Sequence, residues 1–199
     1  MDKSSTSCER MEFIDAPRSP FPMSRQWAMP TPDTFDCKPI GDFVRRYLKP
    51  GMTSIDPFAR NKRWCTHTND LNPETLAEHH MDAIDFCLML QKENVRANLA
   101  IIDPPYSNRQ ISECYKGVGR SVTTEDTQLG RVLKEVRQAI HPMVEIGGIV
   151  LSFGWNSCGM GIKLGYRPLE IMLVAHGGSH SDTICLAEIK DATLFDAEG

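Results

Sequence analysis

An α/β fold with a mostly parallel, doubly wound sheet is predicted by three features of the sequence. Short apolar runs ending in an acid or a glycine alternate with stretches whose apolar residues recur every three or four positions. Two runs stand out as strands: "NLAIIDPP" (98–105), the clearest of the first half, and "GGIVLSFGW" (147–155), a buried strand opened by glycines. The chain closes on two β-rich runs around a short Gly/Ser/His turn, which read as an antiparallel hairpin.

Taken in order, residues 1–24 are rich in Ser, Pro and charge and read as a flexible arm or an extended lead-in. Residues 25–199 are expected to form a single domain. "KPIGDFVRRYLKPG" (38–51) places Ile40, Phe43, Val44, Tyr47 and Leu48 on one helix face, closed by Pro50 and Gly51. "MTSIDPF" (52–58) is a short strand ending in Asp56, and "HTNDLN" (67–72) a weaker one ending in Asp70. Pro73 suits a first helical turn, so a helix is predicted over 73–80, and another over 81–94. After the 98–105 strand, apolar residues at 129, 132, 133, 136 and 140 predict a helix within 125–144. The 147–155 strand follows, then the hairpin of 169–178 and 182–190, with "HGGSH" (176–180) as its loop. No internal repeat is present.

Hydrophobic content of 41% and charged content of 24% are ordinary globular values. The seven cysteines contain no C-x-x-C pair, so free thiols in a reducing compartment are expected, with no metal site. Cys65, His67, His79 and His80 match no standard ligand spacing. With no long apolar run and no signal-peptide core, the chain is expected to be cytoplasmic, with no membrane association. A net charge of −4 and a pI near 5.9 argue against gripping duplex DNA by charge alone. Positive charge is confined to "ARNKR" (59–63) and to Arg109, Lys116 and Arg120.

Ligands in such sheets bind outside the carboxyl ends of the strands. One strand-end aspartate reads as a helix N-cap. Three of them, Asp56, Asp70 and Asp103, read as a shared site. The stretch "DPPY" (103–106) carries the most chemistry. An exocyclic amine on a nucleobase is a poor nucleophile because its lone pair is delocalised into the ring. Two acceptors can draw its N–H groups and free that lone pair. Asp103 offers a carboxylate, and Pro104 a carbonyl held by the φ restriction of Pro104 and Pro105. Tyr106 offers a ring to stack on one extruded base.

"DPPY" after an apolar strand resembles the catalytic motif of the amino-methyltransferases, which methylate the exocyclic amine of adenine or cytosine from S-adenosylmethionine. The small phage-type adenine-specific DNA methyltransferases are the nearest resemblance, through "DPFARN", "NDLNPE", "IDPPYSNRQISECYKG" and "LSFGWNSCGMG". The resemblance implies a Rossmann-like methyltransferase fold and a phage-encoded protein acting on DNA in a host cytoplasm. It implies S-adenosylmethionine as cofactor and direct methyl transfer to adenine N6. "SRQWAMPTPDTFDCKPI", with Trp27, Ala28 and Met29, is similar to the segment that holds the cofactor's methionine part. "IDPF" would place Asp56, Pro57 and Phe58 by the methionine amino group. Asp70 and Leu71 would lie at the ribose, and Asp82 and Ile84 (or Phe86) at the cofactor's adenine. Asp at the first position of DPPY favours adenine over cytosine.

The chain departs from that pattern in two places. The first motif usually continues with glycines, whereas "DPFARNKRW" has none, and no glycine occurs between Gly51 and Gly117. Asn61 is the residue there best able to take a left-handed conformation. Either the loop turns differently, its charges aimed at solvent or phosphates, or the chain is a non-catalytic subunit that binds nucleic acid or a protein. No separate target-recognition domain remains, so a homodimer or a helper protein is a possible partner beside DNA. Substrate contacts are expected from the polar loop 107–126, with Arg109, Lys116 and Arg120 reaching phosphates. Further contacts are expected from Trp155 and Asn156 in "GWNSCGMGIKLGY", with Phe153 or Trp155 as an opposite wall.

Overall fold

The computed structural model describes residues 21–121, 123 and 127–192. Along the chain run β1 (Met23–Trp27), α1 (Lys38–Tyr47), β2 (Ser54–Asp56), β3 (His67–Thr68), α2 (Ala83–Lys92) and β4 (Ala97–Ile102). There follow α3 (Asn108–Gly117), α4 (Leu129–Ile140), β5 (Val144–Gly154), β6 (Tyr166–Ala175) and β7 (Thr183–Lys190). The described strands form one sheet in the order β1-β6-β7-β5-β4-β2-β3. β2 pairs in parallel with β3 and β4, β4 with β5, and β1 with β6. Only β7 runs against its neighbours, between β5 and β6. The expected mixed α/β sheet with a C-terminal hairpin is therefore present.

β4 shows why the sheet is covered on both faces. Leu99 and Ile101 pack with Ile40, Phe43 and Val44 of α1. Ala100 and Ile102 point the other way, to Phe86 and Leu90 of α2 and Val136 and Ile140 of α4. Each large side chain so buried contributes about 1.5–3 kcal/mol, so a polar substitution on this strand would be costly. α1 starts at Lys38 with Pro39 in its first turn, where a missing N–H costs nothing. α2 is capped by Asp82, whose carboxylate accepts the Ile84 N–H at 2.9 Å. No helix of the described residues is long and apolar enough to cross a membrane.

Three local expectations need correction. Residues 73–80 form turns, not a helix. Asn72 accepts the Glu74 N–H at 3.0 Å through its side chain and the Thr75 N–H at 3.2 Å through its carbonyl, so local turns capture the backbone. Leu76 is left exposed, so no apolar face rewards a helix. The polar stretch after DPPY is not a loop throughout: 108–117 is α3, with Ser107 as its N-cap accepting the Gln110 N–H at 3.2 Å. Finally, β1 begins at Met23, so the last residues assigned to the arm belong to the sheet. Residues 1–20 of that arm lie outside the described residues.

Candidate active site

The carboxyl ends of β2, β3, β4 and β5 lie along one sheet edge, together with the β6–β7 turn, and a single open cleft of about 1420 Å³ runs beside them. Asp70, Asp82, Asp103, Tyr106, Trp155 and Thr34 all line it. Segments far apart in sequence thus converge where the strands end, as the topology requires.

Asp103 sits one residue past β4, on the cleft floor. Its Oδ1 accepts the Tyr106 hydroxyl at 2.5 Å, and Thr34 lines the same cleft. Burial pushes its carboxyl up to about 6. The Tyr106 and Thr34 hydroxyls and the Arg60 charge hold it from rising further. Pro104 is buried, and Pro105 lines the cleft. The Tyr106 ring meets Trp155 edge-on, with centroids 5.9 Å apart, so both rings stand on the same wall. Burial and the adjacent Asp103 charge push the Tyr106 phenol up, so its proton stays on oxygen. Gln110 accepts the Tyr106 N–H at 2.7 Å and so ties the motif to the start of α3.

The glycine-free loop after β2 turns at Arg60, which takes φ 47°, rather than at Asn61. Its N–H donates to Asp70 at 3.2 Å, which stabilises the left-handed turn. Its guanidinium donates to the Pro32 carbonyl and pairs with Asp33 at 3.1 Å. Lys62 pairs with Asp36 at 2.5 Å. These two charges therefore face acids of the segment before α1, neither bare solvent nor a free phosphate-binding surface.

Pro57, Phe58, Asp70, Leu71, Asp82 and Ile84 line the cleft as the sequence suggested. Asp70 accepts the Asn72 N–H at 2.8 Å besides that of Arg60, and Asp82 accepts the Tyr115 hydroxyl. Asp56 is 2% exposed and lies beneath the cleft surface, accepting the Phe58 N–H at 3.0 Å. Burial, with the charges of Asp103 and Asp70, pushes its carboxyl well up. Trp27 and Met29 are exposed at 65% and 55% and lie off the cleft; Ala28 accepts His176 Nδ1 at 2.7 Å. The next residues, Pro30, Thr31, Pro32 and Thr34, line the cleft in their place. Arg120 lines it too, whereas Arg109 pairs with Glu113 at 2.8 Å outside it, and Lys116 is exposed. Asn156 accepts the Cys158 N–H at 3.0 Å in a local turn and faces a small cavity behind the motif. Phe153 is buried in the core against Phe35 and Phe43.

Two buried polar residues carried no motif, the first beside the cleft and the second away from it. Asn69 is fully buried, donates to the Pro57 and Met81 carbonyls at 3.1 and 3.0 Å, and accepts the Met81 N–H at 3.1 Å. It ties the segments that follow β2 and β3 to the one that leads into α2. Glu188, also buried, accepts the Met160 and Gly161 N–H groups at 2.6 and 2.9 Å. The close approach that the glycines of 154–166 allow is, at Gly159, to this carboxylate.

No protein-family model matches the sequence, and no curated protein matches it. Among solved structures, TrmN from Thermus thermophilus is similar over 76% of this chain and 48% of its own, with 12% identity and a TM-score of 0.52. NSun6 from Pyrococcus horikoshii, solved with SFG, is similar over 73% and 50%, at 13% identity and TM-score 0.49. A methyltransferase from Pyrococcus furiosus is similar over 80% and 84%, at 13% identity and TM-score 0.40. The chain spans about half the length of the first two. At such identities the likeness establishes the fold alone, a Rossmann-like methyltransferase fold, and the TrmN match carries it.

Proposed function

We propose that this protein transfers a methyl group from S-adenosylmethionine to the exocyclic N6 amine of adenine in DNA. The observation that carries the reading is Asp103-Pro104-Pro105-Tyr106 at the end of β4, opening into the same cleft as Asp70 and Asp82. The residues fit the cofactor. Carboxylates past the ends of β3 and β4 and at the start of α2 suit hydroxyl and amine donors, Pro57, Phe58 and Ile84 supply apolar surface, and the cleft is large enough for a cofactor and a base. Arg60 and Lys62, each paired with an acid, do not set bare positive charge against a sulfonium. When bound, S-adenosylmethionine supplies an electrophilic methyl group.

Asp103, ionised, accepts one N–H of the amine, and the Pro104 carbonyl accepts the other. The nitrogen lone pair is thereby released from the ring for attack. The Asp103 carboxylate is also the base beside the nitrogen that must shed a proton once alkylated. Tyr106 and Trp155 offer faces to an extruded base, and Arg120 offers a phosphate contact.

The test is transfer of isotopically labelled methyl to unmethylated DNA, read in digested nucleosides by mass spectrometry. Label is expected in methyladenine, and Asp103→Ala is expected to lose at least about a hundredfold in rate while still binding cofactor in calorimetry. Label in a cytosine or RNA nucleoside would change the substrate. Absence of both label and cofactor binding would overturn the enzyme reading.

A further inference from the structure

Ile111, Cys114 and Tyr115 of α3, with Val118 at its C-cap, follow the three-and-four spacing of one helix face, and all four line the cleft. Ile111 is the buried residue of this helix, so the stripe serves as a wall of the cleft more than as core. The helix grows directly out of the DPPY motif. Ser107 caps it, and Gln110 accepts the Tyr106 N–H at 2.7 Å. Farther along, the Tyr115 hydroxyl donates to Asp82 Oδ2 at the start of α2. The other oxygen of that carboxylate accepts the Ile84 N–H at 2.9 Å. Asp82 thus has a donor on each oxygen, one from its own helix and one from α3.

We propose that Tyr115 is a positioning residue for Asp82 and the latch that ties α3 to the cofactor half of the cleft. An ionised carboxylate offers about four lone-pair sites on its two oxygens. The Ile84 N–H and the Tyr115 hydroxyl take one on each oxygen, which fixes the plane of the group and leaves the rest for a ligand's N–H or O–H. A carboxylate held in one plane before the ligand arrives costs less to order on binding. Because α3 starts at the DPPY motif, the same bond joins the base-directed motif to the residue expected at the cofactor's adenine. The inference deepens the methyltransferase reading, and its cofactor arm rests on that reading. The latch between α3 and α2 does not.

The experiment compares the wild type with Tyr115→Phe, Asp82→Asn and the double variant, each first shown to be folded by its thermal melt. Phenylalanine keeps the ring and removes the hydroxyl alone, and asparagine still caps α2. Binding of S-adenosylhomocysteine is measured by calorimetry, and protection of the α3 amides by hydrogen exchange in the free full chain. Tyr115→Phe is expected to weaken S-adenosylhomocysteine about tenfold, the loss of one hydrogen bond to a charged group. The double variant is expected to bind no worse than Asp82→Asn, because the hydroxyl acts through the carboxylate. In turnover, Tyr115→Phe should raise KM for S-adenosylmethionine about tenfold and leave kcat within about twofold. The α3 amides should exchange about tenfold faster in that variant. Unchanged affinity in Tyr115→Phe, or losses that add in full in the double variant, would overturn the positioning of Asp82. Unchanged protection of α3 would overturn the latch. A wild type that binds no S-adenosylhomocysteine would overturn the cofactor reading and the positioning with it, while the exchange arm still decides the latch.

Discussion

Asp103 titrates with opposite consequences for activity and for stability. Burial lifts its carboxyl from 3.8 to about 6, and the proposed chemistry needs it ionised. The rate should therefore climb as pH passes about 6 and level off above it, as a pH–kcat profile would show. Stability runs the other way. A folded pKa above the unfolded one favours the folded state at low pH, and that advantage is lost as pH rises from about 4 to about 6. Asp103→Asn, isosteric and uncharged, should therefore be more stable than the wild type at pH 8. The gain shrinks toward pH 4 and is at most about 3 kcal/mol, the equivalent of that pKa displacement. Denaturant melts at the two pH values would check it, and a gain independent of pH would reject the cause. Asn69 is the opposite kind of residue, all structure. Asn69→Ala leaves the Pro57 and Met81 groups without partners, so a loss of about 2–4 kcal/mol is expected in the melt, with weaker cofactor binding in calorimetry. DPPY stood out in the sequence because the groups its proposed chemistry needs lie in four contiguous residues. Asn69 did not, because it acts only on what the fold brings beside it.

Among the elements, those with a strong apolar pattern were read correctly. β4, β5, α1, α2 and α4 each bury a face that their residue spacing displays. α3 escaped because it buries only Ile111, so periodicity had almost nothing to report. Its signal was a cap: Ser107 with Gln110 three residues on. The false helix at 73–80 rested on Pro73 alone, and Asn72 had the shorter route to a turn. The 154–166 segment makes a sharper demand than its glycines suggested. A Cβ on residue 159 would lie 1.9 Å from Glu188 Oε2, and that carboxylate is already committed to two backbone N–H groups. Gly159→Ala should cost about 2 kcal/mol or more, seen as a lowered Tm, whereas alanine at the open, exposed Gly117 should be nearly silent.

For the whole molecule, charge sets how a nucleic acid can be held. The chain is net −4, and Arg60, Lys62 and Arg109 are paired with acids. Of the described cations in the two basic clusters, 59–63 and Arg109, Lys116 and Arg120, that leaves Arg63, Lys116 and Arg120 to displace counterions beside the cleft. Binding of an adenine-containing single strand should accordingly have a shallow salt dependence, with a log–log slope no steeper than about −2 at roughly −0.7 per phosphate. Fluorescence anisotropy between low and moderate salt would measure it. A slope several times steeper would mean a basic surface beyond these residues. Affinity must then come mainly from the cleft, through stacking and the amine's acceptors, and not from a charged groove.

By itself the sequence determined the α/β class, the hairpin that follows β5 and the identity of the strand-end acids, and it supplied the DPPY stretch on which the proposed chemistry rests. These are local properties: apolar spacing records which face is buried, and a contiguous motif carries its own backbone geometry. Only the tertiary structure decided which acids face the cleft and which, like Asp56, lie beneath it. It alone showed that a loop without glycine can turn at Arg60 and spend its charges on Asp33 and Asp36. Such pairings depend on how β2 and the segment before α1 come together in space, and that proximity is set by the packed sheet, not by neighbours along the chain.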